Sequence, residues 1–365
     1  MTEAEAYVAF NLTDQVGSAK VEKLAAKAGS VAAAWVEHPA KVSRTGGEVD
    51  WQGEYARAAR YGVRILTPAD ADYPERLKLS GAHPLALYVK GNPAVLNRPA
   101  IALVGTRRAT TYGREQAFRM AQDLAHDGWT VVSGLALGID AEAHRGALAM
   151  GGVTYGVIGS GLDRFYPEEN RELARAIVAH DGAVVSQFPF GRPPDQHTFP
   201  IRNHVVAALA GGTVVIEAPL RSGAMITAGL AVDLGRTVMA VPGRVDSRMS
   251  AGALRLIREG ATLVRSAADV NEAMGSLLPM AKKTSMTVSG EVGVRQVPKC
   301  DLPPFSVEEA AVMRYIDEDG LSIDELTRLT ELPIMQVNAV CMTLRVKGRI
   351  RFLPGNRVAL PRTTM

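Results

Sequence analysis

Cysteine is nearly absent: Cys300 and Cys341 are the only two in 365 residues. Two thiols build neither a disulfide framework nor a cysteine-rich zinc site. The seven histidines are scattered, with no pair at the H-E-x-x-H spacing, so a metal enzyme is disfavoured and no metal or cofactor is expected. No run reaches 18 uncharged apolar residues, and a transmembrane helix is not expected. The opening Met1-Thr2-Glu3-Ala4-Glu5 is acidic and lacks the basic start and apolar core of a signal peptide, which points to a cytoplasmic location. Lysine is missing altogether between residues 101 and 279, where 17 arginines face 17 acidic residues. That stretch holds no Walker-A lysine and no Schiff-base lysine. A phosphate bound there is bound by arginine forks and backbone N–H groups.

What is present is an ordinary globular composition, 47% apolar and 22% charged, in a chain long enough for two or three domains. Net charge is +3, a weak pointer to an anionic partner. Residues 1–61 read as a small helical domain, with Val16, Val21, Leu24, Ala28, Val31 and Trp35 at helical spacing and Gly17-Ser18 and Gly29-Ser30 as breaks. This pattern fits a helix-hairpin-helix touching DNA backbone, and it fits a plain docking bundle equally. Residues 62–279 form the second domain, opening with an extended, Pro-punctuated lead-in to about residue 98. From residue 99 strand and helix patterns alternate. Apolar runs at Ile101–Val104, Thr130–Val132, Val153–Ile158, Ala183–Val185, Thr213–Ile216 and Val238–Val241 are separated mostly by amphipathic stretches. Strands buried on both faces between helices predict a doubly wound, mostly parallel sheet. Residues 280–304 read as a linker. Residues 305–365 give three helices and a hairpin, the order of a winged helix, with Ser322 and Glu325 at capping-box spacing. This last module is polarised: Arg345, Lys347, Arg349, Arg351 and Arg357 sit at the hairpin end, while acidic residues including Glu318, Asp319 and Glu331 precede them. Near neutrality favours protein interaction or regulation over DNA reading.

Ligands of doubly wound sheets collect beyond the carboxyl ends of the strands. Those ends read Gly105-Thr106-Arg107-Arg108, Ser133-Gly134, Gly159-Ser160-Gly161, Arg221-Ser222-Gly223 and Pro242-Gly243-Arg244. Small residues let backbone N–H groups approach a phosphate, and helix N-termini favour it. The same residues are also ordinary turn formers. The first loop is not G-x-G-x-x-G and the second strand ends in Ser133, which argues against a classical dinucleotide site. No G-x-S-x-G elbow occurs, and no catalytic residue is expected. A long segment from Phe188 through His204 reads as a loop carrying Phe199, Arg202 and Asn203, able either to hold nucleotides or to plug the sheet edge. Phe165 and Tyr166, followed by Asn170, are candidates for stacking or for core.

Residues 62–276 resemble the DprA/Smf family of DNA-processing proteins. The resemblance rests on Tyr73-Pro74-x-x-Leu77, Val104-Gly105-Thr106-Arg107, Ser133-Gly134-Leu135-Ala136-x-Gly138-Ile139-Asp140, Gly159-x-Gly161-Leu162-Asp163-x-x-Tyr166-Pro167-x-x-Asn170, Phe199-Pro200-x-Arg202-Asn203, Ser222-Gly223-x-x-Ile226-Thr227 and Val241-Pro242-Gly243. It implies a Rossmann-like domain between a small helical N-terminal domain, sterile-alpha-motif-like or helix-hairpin-helix, and a C-terminal winged helix. It also implies a non-enzymatic protein of natural transformation that binds and protects incoming single-stranded DNA, helps load the RecA recombinase, and forms homodimers through the Rossmann-like domain. In the family, the arginines of the first loop and of F-P-x-R-N lie in the DNA pocket; they correspond to Arg107 and Arg202. The chain departs from the family pattern at Glu168, Gln187, His204 and Leu254, which lowers local positive charge. A second resemblance, to lysine-decarboxylase-like enzymes that cleave nucleoside monophosphates, is weaker, because Pro242-Gly243-Arg244 lacks the second glycine and the glutamate of their signature.

Overall fold

The computed structural model describes residues 1–13, 16–38, 47–275, 306–317, 320–330, 332–346, 349–353 and 357–360. The linker read at 280–304 lies outside them, as do Glu318, Asp319, Glu331, Lys347 and the hairpin turn at 354–356. The chain forms two compact units, Met1–Thr284 and Ser285–Met365.

The first unit opens with four helices, α1 (Glu3–Leu12), α2 (Ser18–Ala28), α3 (Val31–Glu37) and α4 (Trp51–Tyr61). Their boundaries follow local chemistry: Thr2 and Glu5 form a capping box, Gly29 ends α2 in the left-handed conformation, and the Ser30 side chain caps α3. Next come β1 (Val63–Leu66), α5 (Glu75–Lys78) and β2 (Leu87–Gly91). The lead-in thus supplies two antiparallel strands. β1 pairs with β2, and Val8 and Ala58 pack with Ile65 and Tyr88, joining the helices to this edge.

The alternating region runs β3 (Ala100–Val104), α6 (Thr111–His126), β4 (Thr130–Ser133), α7 (Ile139–Ala149), β5 (Thr154–Val157), α8 (Arg171–Ala179), β6 (Ala183–Ser186), α9 (Thr198–Leu209), β7 (Gly212–Val215), α10 (Gly223–Asp233), β8 (Thr237–Ala240), α11 (Ala251–Arg258), β9 (Thr262–Leu263) and α12 (Ala267–Met274). The nine strands lie in the order β1-β2-β6-β5-β4-β3-β7-β8-β9, parallel except for the β1–β2 and β2–β6 pairs. Continuous apolar runs are explained by two cores. Ala100, Ala102 and Val104 enter one with α9 and α10, while Ile101 and Leu103 enter the other with α6 and α7. Each fully buried branched side chain contributes about 1.5–3 kcal/mol.

One expectation is corrected. The segment from Phe188 to His204 is not a loop throughout, because α9 begins at Thr198. The Asp195 carboxylate accepts the N–H groups of His197 (2.7 Å) and Thr198 (3.0 Å), and Pro200 sits in the first turn, where its missing N–H costs no helical bond.

The second unit contains α13 (Val307–Met313), β10 (Leu321–Ser322), α14 (Ile323–Thr330), α15 (Ile334–Val346), β11 (Arg351–Leu353) and β12 (Arg357–Ala359). Its core gathers Val312, Ile323, Leu326, Val337, Cys341, Leu344 and Val358. Its strands pair in the order β10-β12-β11, the wing of a winged helix. The Ser322 capping box forms as expected, Ser322 N–H donating to Glu325 (2.8 Å) and Glu325 N–H to Ser322 Oγ (3.2 Å).

Candidate nucleic-acid interface

From β3 the chain winds one way to β4, β5 and β6, then returns to place β7 on the other side of β3. The loops leaving β3 and β7 therefore diverge, and a cleft of about 330 Å³ opens between them. The first loop is pinned from β7. Thr106 N–H donates to the Glu217 carbonyl (2.7 Å), and the Glu217 carboxylate, 2% exposed, takes the N–H (2.9 Å) and hydroxyl (2.6 Å) of Thr110, the N-cap of α6. Arg107 and Arg108 are left exposed at the rim. The Arg107 guanidinium lies 4.9 Å from the centre of the Phe199 ring, a cation–π contact, and Tyr166, 44% exposed, stands 6.1 Å beyond that ring.

The second loop is held from below. The Asp140 carboxylate accepts Gly134 N–H (3.1 Å) and Ala136 N–H (3.4 Å), and the Asn170 amide donates to the carbonyls of Leu135 (2.8 Å) and Ala136 (3.1 Å). Gly138 has φ +79°, and a Cβ there would lie 2.4 Å from the Thr106 carbonyl oxygen, so only glycine lets the two loops touch. Burial pushes the Asp140 carboxyl above its ordinary range, against the opposing charge of Arg202.

Arg202 forms the floor. It is 5% exposed, and its Nη1 donates to the carbonyls of Val157 (2.6 Å) and Gly134. Burial lowers its pKa to about 10, Asp140 resists that shift, and the nearby Arg107 adds to it. Arg202 thus stays charged at neutral pH. On the far wall the N-terminus of α10 presents Ser222 and Gly223, with the Asn203 amide donating to the Gly223 carbonyl (3.3 Å).

The structure gathers ten of the expected site residues around this cleft: Gly105, Thr106, Arg107, Arg108, Gly134, Phe199, Arg202, Asn203, Ser222 and Gly223. Gly159 joins Arg107, Tyr166 and Phe199 in an adjoining notch. Ser133, Ser160, Gly161 and Asn170 are buried behind the strand ends; Ser133 Oγ, for example, donates to the Leu103 carbonyl (2.6 Å). Phe165 lines a different cavity under Arg171, whose guanidinium lies 5.4 Å from its ring centre. Arg244 is 82% exposed at its side chain and forked onto Asp246 at 2.8 and 3.0 Å, beside Tyr112 rather than in the cleft. Of the Arg202 guanidinium, Nη1 is committed to backbone carbonyls, and the buried Nε has no partner. Sequence reading missed Ala136, Val206 and Thr227 on the cleft wall and the clamping roles of Asp140 and Glu217. The available signals were an acid in the first turn of α7 and an acid just past the end of β7.

The arginines themselves divide. Of the 17 in residues 101–279, nine form ion pairs, mostly with an acid three or four residues away in the chain. Among the described residues, Arg107, Arg108 and Arg221 at the cleft have no carboxylate partner. No helix among the described residues is long and apolar enough to cross a membrane.

The fold and the cleft define a Rossmann-like protein with an arginine-rimmed strand-end site, followed by a winged helix. The family model for DNA recombination-mediator protein A matches residues 64–275, and that for the DprA winged helix domain matches residues 298–356. The chain is 33% identical to protein Smf of Synechocystis over 316 residues, covering 80% of this chain and 79% of that one. The solved DNA processing protein A of Streptococcus pneumoniae superimposes with a TM-score of 0.61 at 33% identity, over 74% of this chain and 98% of its own. That of Helicobacter pylori gives 0.52 at 28% identity, over 58% and 95%. The chain belongs to the DprA/Smf family of DNA recombination-mediator proteins.

Proposed function

We propose that this protein binds single-stranded DNA during natural transformation, protects the incoming strand and helps load RecA for homologous recombination. The observation that carries this reading is the set of three exposed arginines without carboxylate partners, Arg107, Arg108 and Arg221, around the cleft. Such a rim attracts phosphates and reads no base edges, so binding is largely independent of sequence. The exposed Tyr166 ring and the half-buried Phe199 ring offer unpaired bases a stacking surface, which a duplex cannot use. The Helicobacter pylori relative is known for its single-stranded DNA binding mode. The protein acts as a cytoplasmic binding protein rather than an enzyme, and as a homodimer through the Rossmann-like domain. In this reading the helical domain 1–61 and the winged helix 305–365, joined by the linker 280–304, serve the DNA-binding domain 62–279. Among the 17 site residues, the ten at the cleft and Gly159 face the strand, while Ser133, Ser160, Gly161 and Asn170 shape the loops that do.

A salt-resolved titration with single-stranded and duplex oligonucleotides of several sequences tests this. Single strands bind more tightly, with a log–log salt slope of about −0.7 per phosphate held. Tighter duplex binding, or a strong preference for one sequence, overturns it.

A further inference from the structure

The strap from Gln187 to His197, joining β6 to α9, contains neither helix nor strand, so its course is set by what grips it. The helical domain grips it first. Glu54 on α4 is fully buried; its Oε1 accepts the Phe190 N–H at 2.9 Å, and its Oε2 pairs with Arg57 at 2.8 Å. Burying a carboxylate is costly unless it is paired and hydrogen-bonded, and the long-range bond this one makes is to the strap. The Phe190 ring is stacked on Tyr61 at the end of α4 (centroids 5.3 Å apart) and set edge-on against Tyr88 of β2 (5.5 Å). The loop after β5 grips next. The Asp163 carboxylate accepts the Gly191 N–H at 2.8 and 3.0 Å, and Gly161 N–H donates to the Arg192 carbonyl (2.9 Å). Arg192 then pairs with Asp195 (2.6 Å), the residue that starts α9. Phe199 follows in the first turn. Arg202 fixes α9 one turn later, so the first turn and its ring depend on the strap. The loop that supplies Asp163 also carries Tyr166, the neighbouring ring.

We infer that Glu54 is a positioning residue for single-strand binding: through its hold on Phe190 and the strap, the helical domain sets the Phe199 and Tyr166 rings where unpaired bases stack. This rests on the reading that those rings receive DNA bases. It gives the helical domain a part in binding without a contact to the strand.

The test uses the full chain. Wild type, Glu54→Leu and Glu54→Gln are titrated with oligo(dT) and with an abasic strand of the same length, at several salt concentrations. Leucine suits the cluster of Val8, Ala58, Tyr88 and Phe190 beside it but leaves the Phe190 N–H without its acceptor, whereas glutamine keeps an oxygen for it. Wild type should prefer oligo(dT) to the abasic strand. Glu54→Leu should lose at least about fivefold for oligo(dT), the low end for one stacked base. Its affinity for the abasic strand and its salt slope should stay at wild type, because no phosphate contact is lost. Glu54→Gln should bind both strands as wild type does. Melting temperatures of the same samples report folding; if Glu54→Leu does not fold, Asp163→Ala, at the partly exposed second grip, replaces it with the same expectation. A folded Glu54→Leu protein with wild-type affinity for oligo(dT) overturns the inference. So does an equal loss on both strands, a Glu54→Gln protein as weak as Glu54→Leu, or a wild type that does not distinguish the strands. If the wild type binds no oligo(dT), the DNA reading itself falls and the inference with it.

Discussion

The rim and the floor of the cleft use the same residue type for opposite purposes. At the rim, Arg107, Arg108 and Arg221 are exposed and bound to no carboxylate, so their charge is available to a ligand. On the floor, Arg202 is buried and tied to the ends of β4 and β5 through the Gly134 and Val157 carbonyls, its charge opposite to that of the buried Asp140. A rim arginine adds affinity and little stability. A floor arginine adds stability first, because removing it strands two carbonyls and a buried carboxylate. F-P-x-R-N and V-G-x-R look alike as arginine motifs, and only their surroundings separate them.

The largest expected effect breaks the floor. Arg202→Ala strands the Gly134 and Val157 carbonyls, and each hydrogen bond from a charged group typically contributes about 1.5–3 kcal/mol. At about 2–4 °C per kcal/mol for a domain of this size, melting falls by roughly 10 °C. A differential scanning measurement checks it. An unchanged melting temperature with lost DNA affinity would instead move Arg202 to the rim class. Arg107→Ala should do the reverse. Melting stays put while single-strand affinity drops about ten- to a hundredfold, the equivalent of one charge-assisted contact of about 1.5–3 kcal/mol. The salt slope should flatten by about 0.7, read from the same titrations.

A third prediction concerns the scaffold behind the floor. His144 is fully buried, with Nδ1 2.7 Å from Thr154 Oγ1, and burial pushes its pKa down to about 3, with the Arg202 charge adding. The unfolded chain takes up this proton near the ordinary value of about 6.5, and the folded chain does so only near 3. Stability is therefore full above about pH 6.5 and falls as pH drops through the window to 3, by up to about 1.4 kcal/mol per unit. Denaturant melts at pH 7, 6 and 5 should show the loss, and His144→Asn should flatten it; an equal slope in the variant would assign the acid sensitivity elsewhere. The smallest effect belongs to Arg244, whose fork onto Asp246 is exposed. Arg244→Ala should leave melting unchanged and affinity within about twofold. A tenfold loss would extend the rim to the end of β8.

The buried sheet was readable in advance because a strand covered on both faces must be apolar at successive positions, as Ile101–Val104 and Thr213–Ile216 are. The helix starts at Ser30 and Ser322 announced themselves through capping chemistry that acts over three residues. The antiparallel strands β1 and β2 did not, because only pairing with β6 across some 95 residues makes an edge of them. The helix α9 hid behind prolines whose turn signal and helix-start signal are the same.

Composition and pattern alone thus determined the doubly wound class, the winged helix, the absence of lysine from the cleft and the strand ends around which the cleft forms. The partners of those ends were decided only by the tertiary structure. Whether an arginine is a ligand group or a strut depends on what lies within about 4 Å of its guanidinium, and those neighbours come from distant parts of the chain. The carbonyls of Gly134, just past β4, and of Val157 in β5 hold Arg202, and Glu217 reaches Thr110 from 107 residues away. Hydrogen bonding and burial act over ångströms in space, and no local pattern in the sequence records which strands will stand side by side.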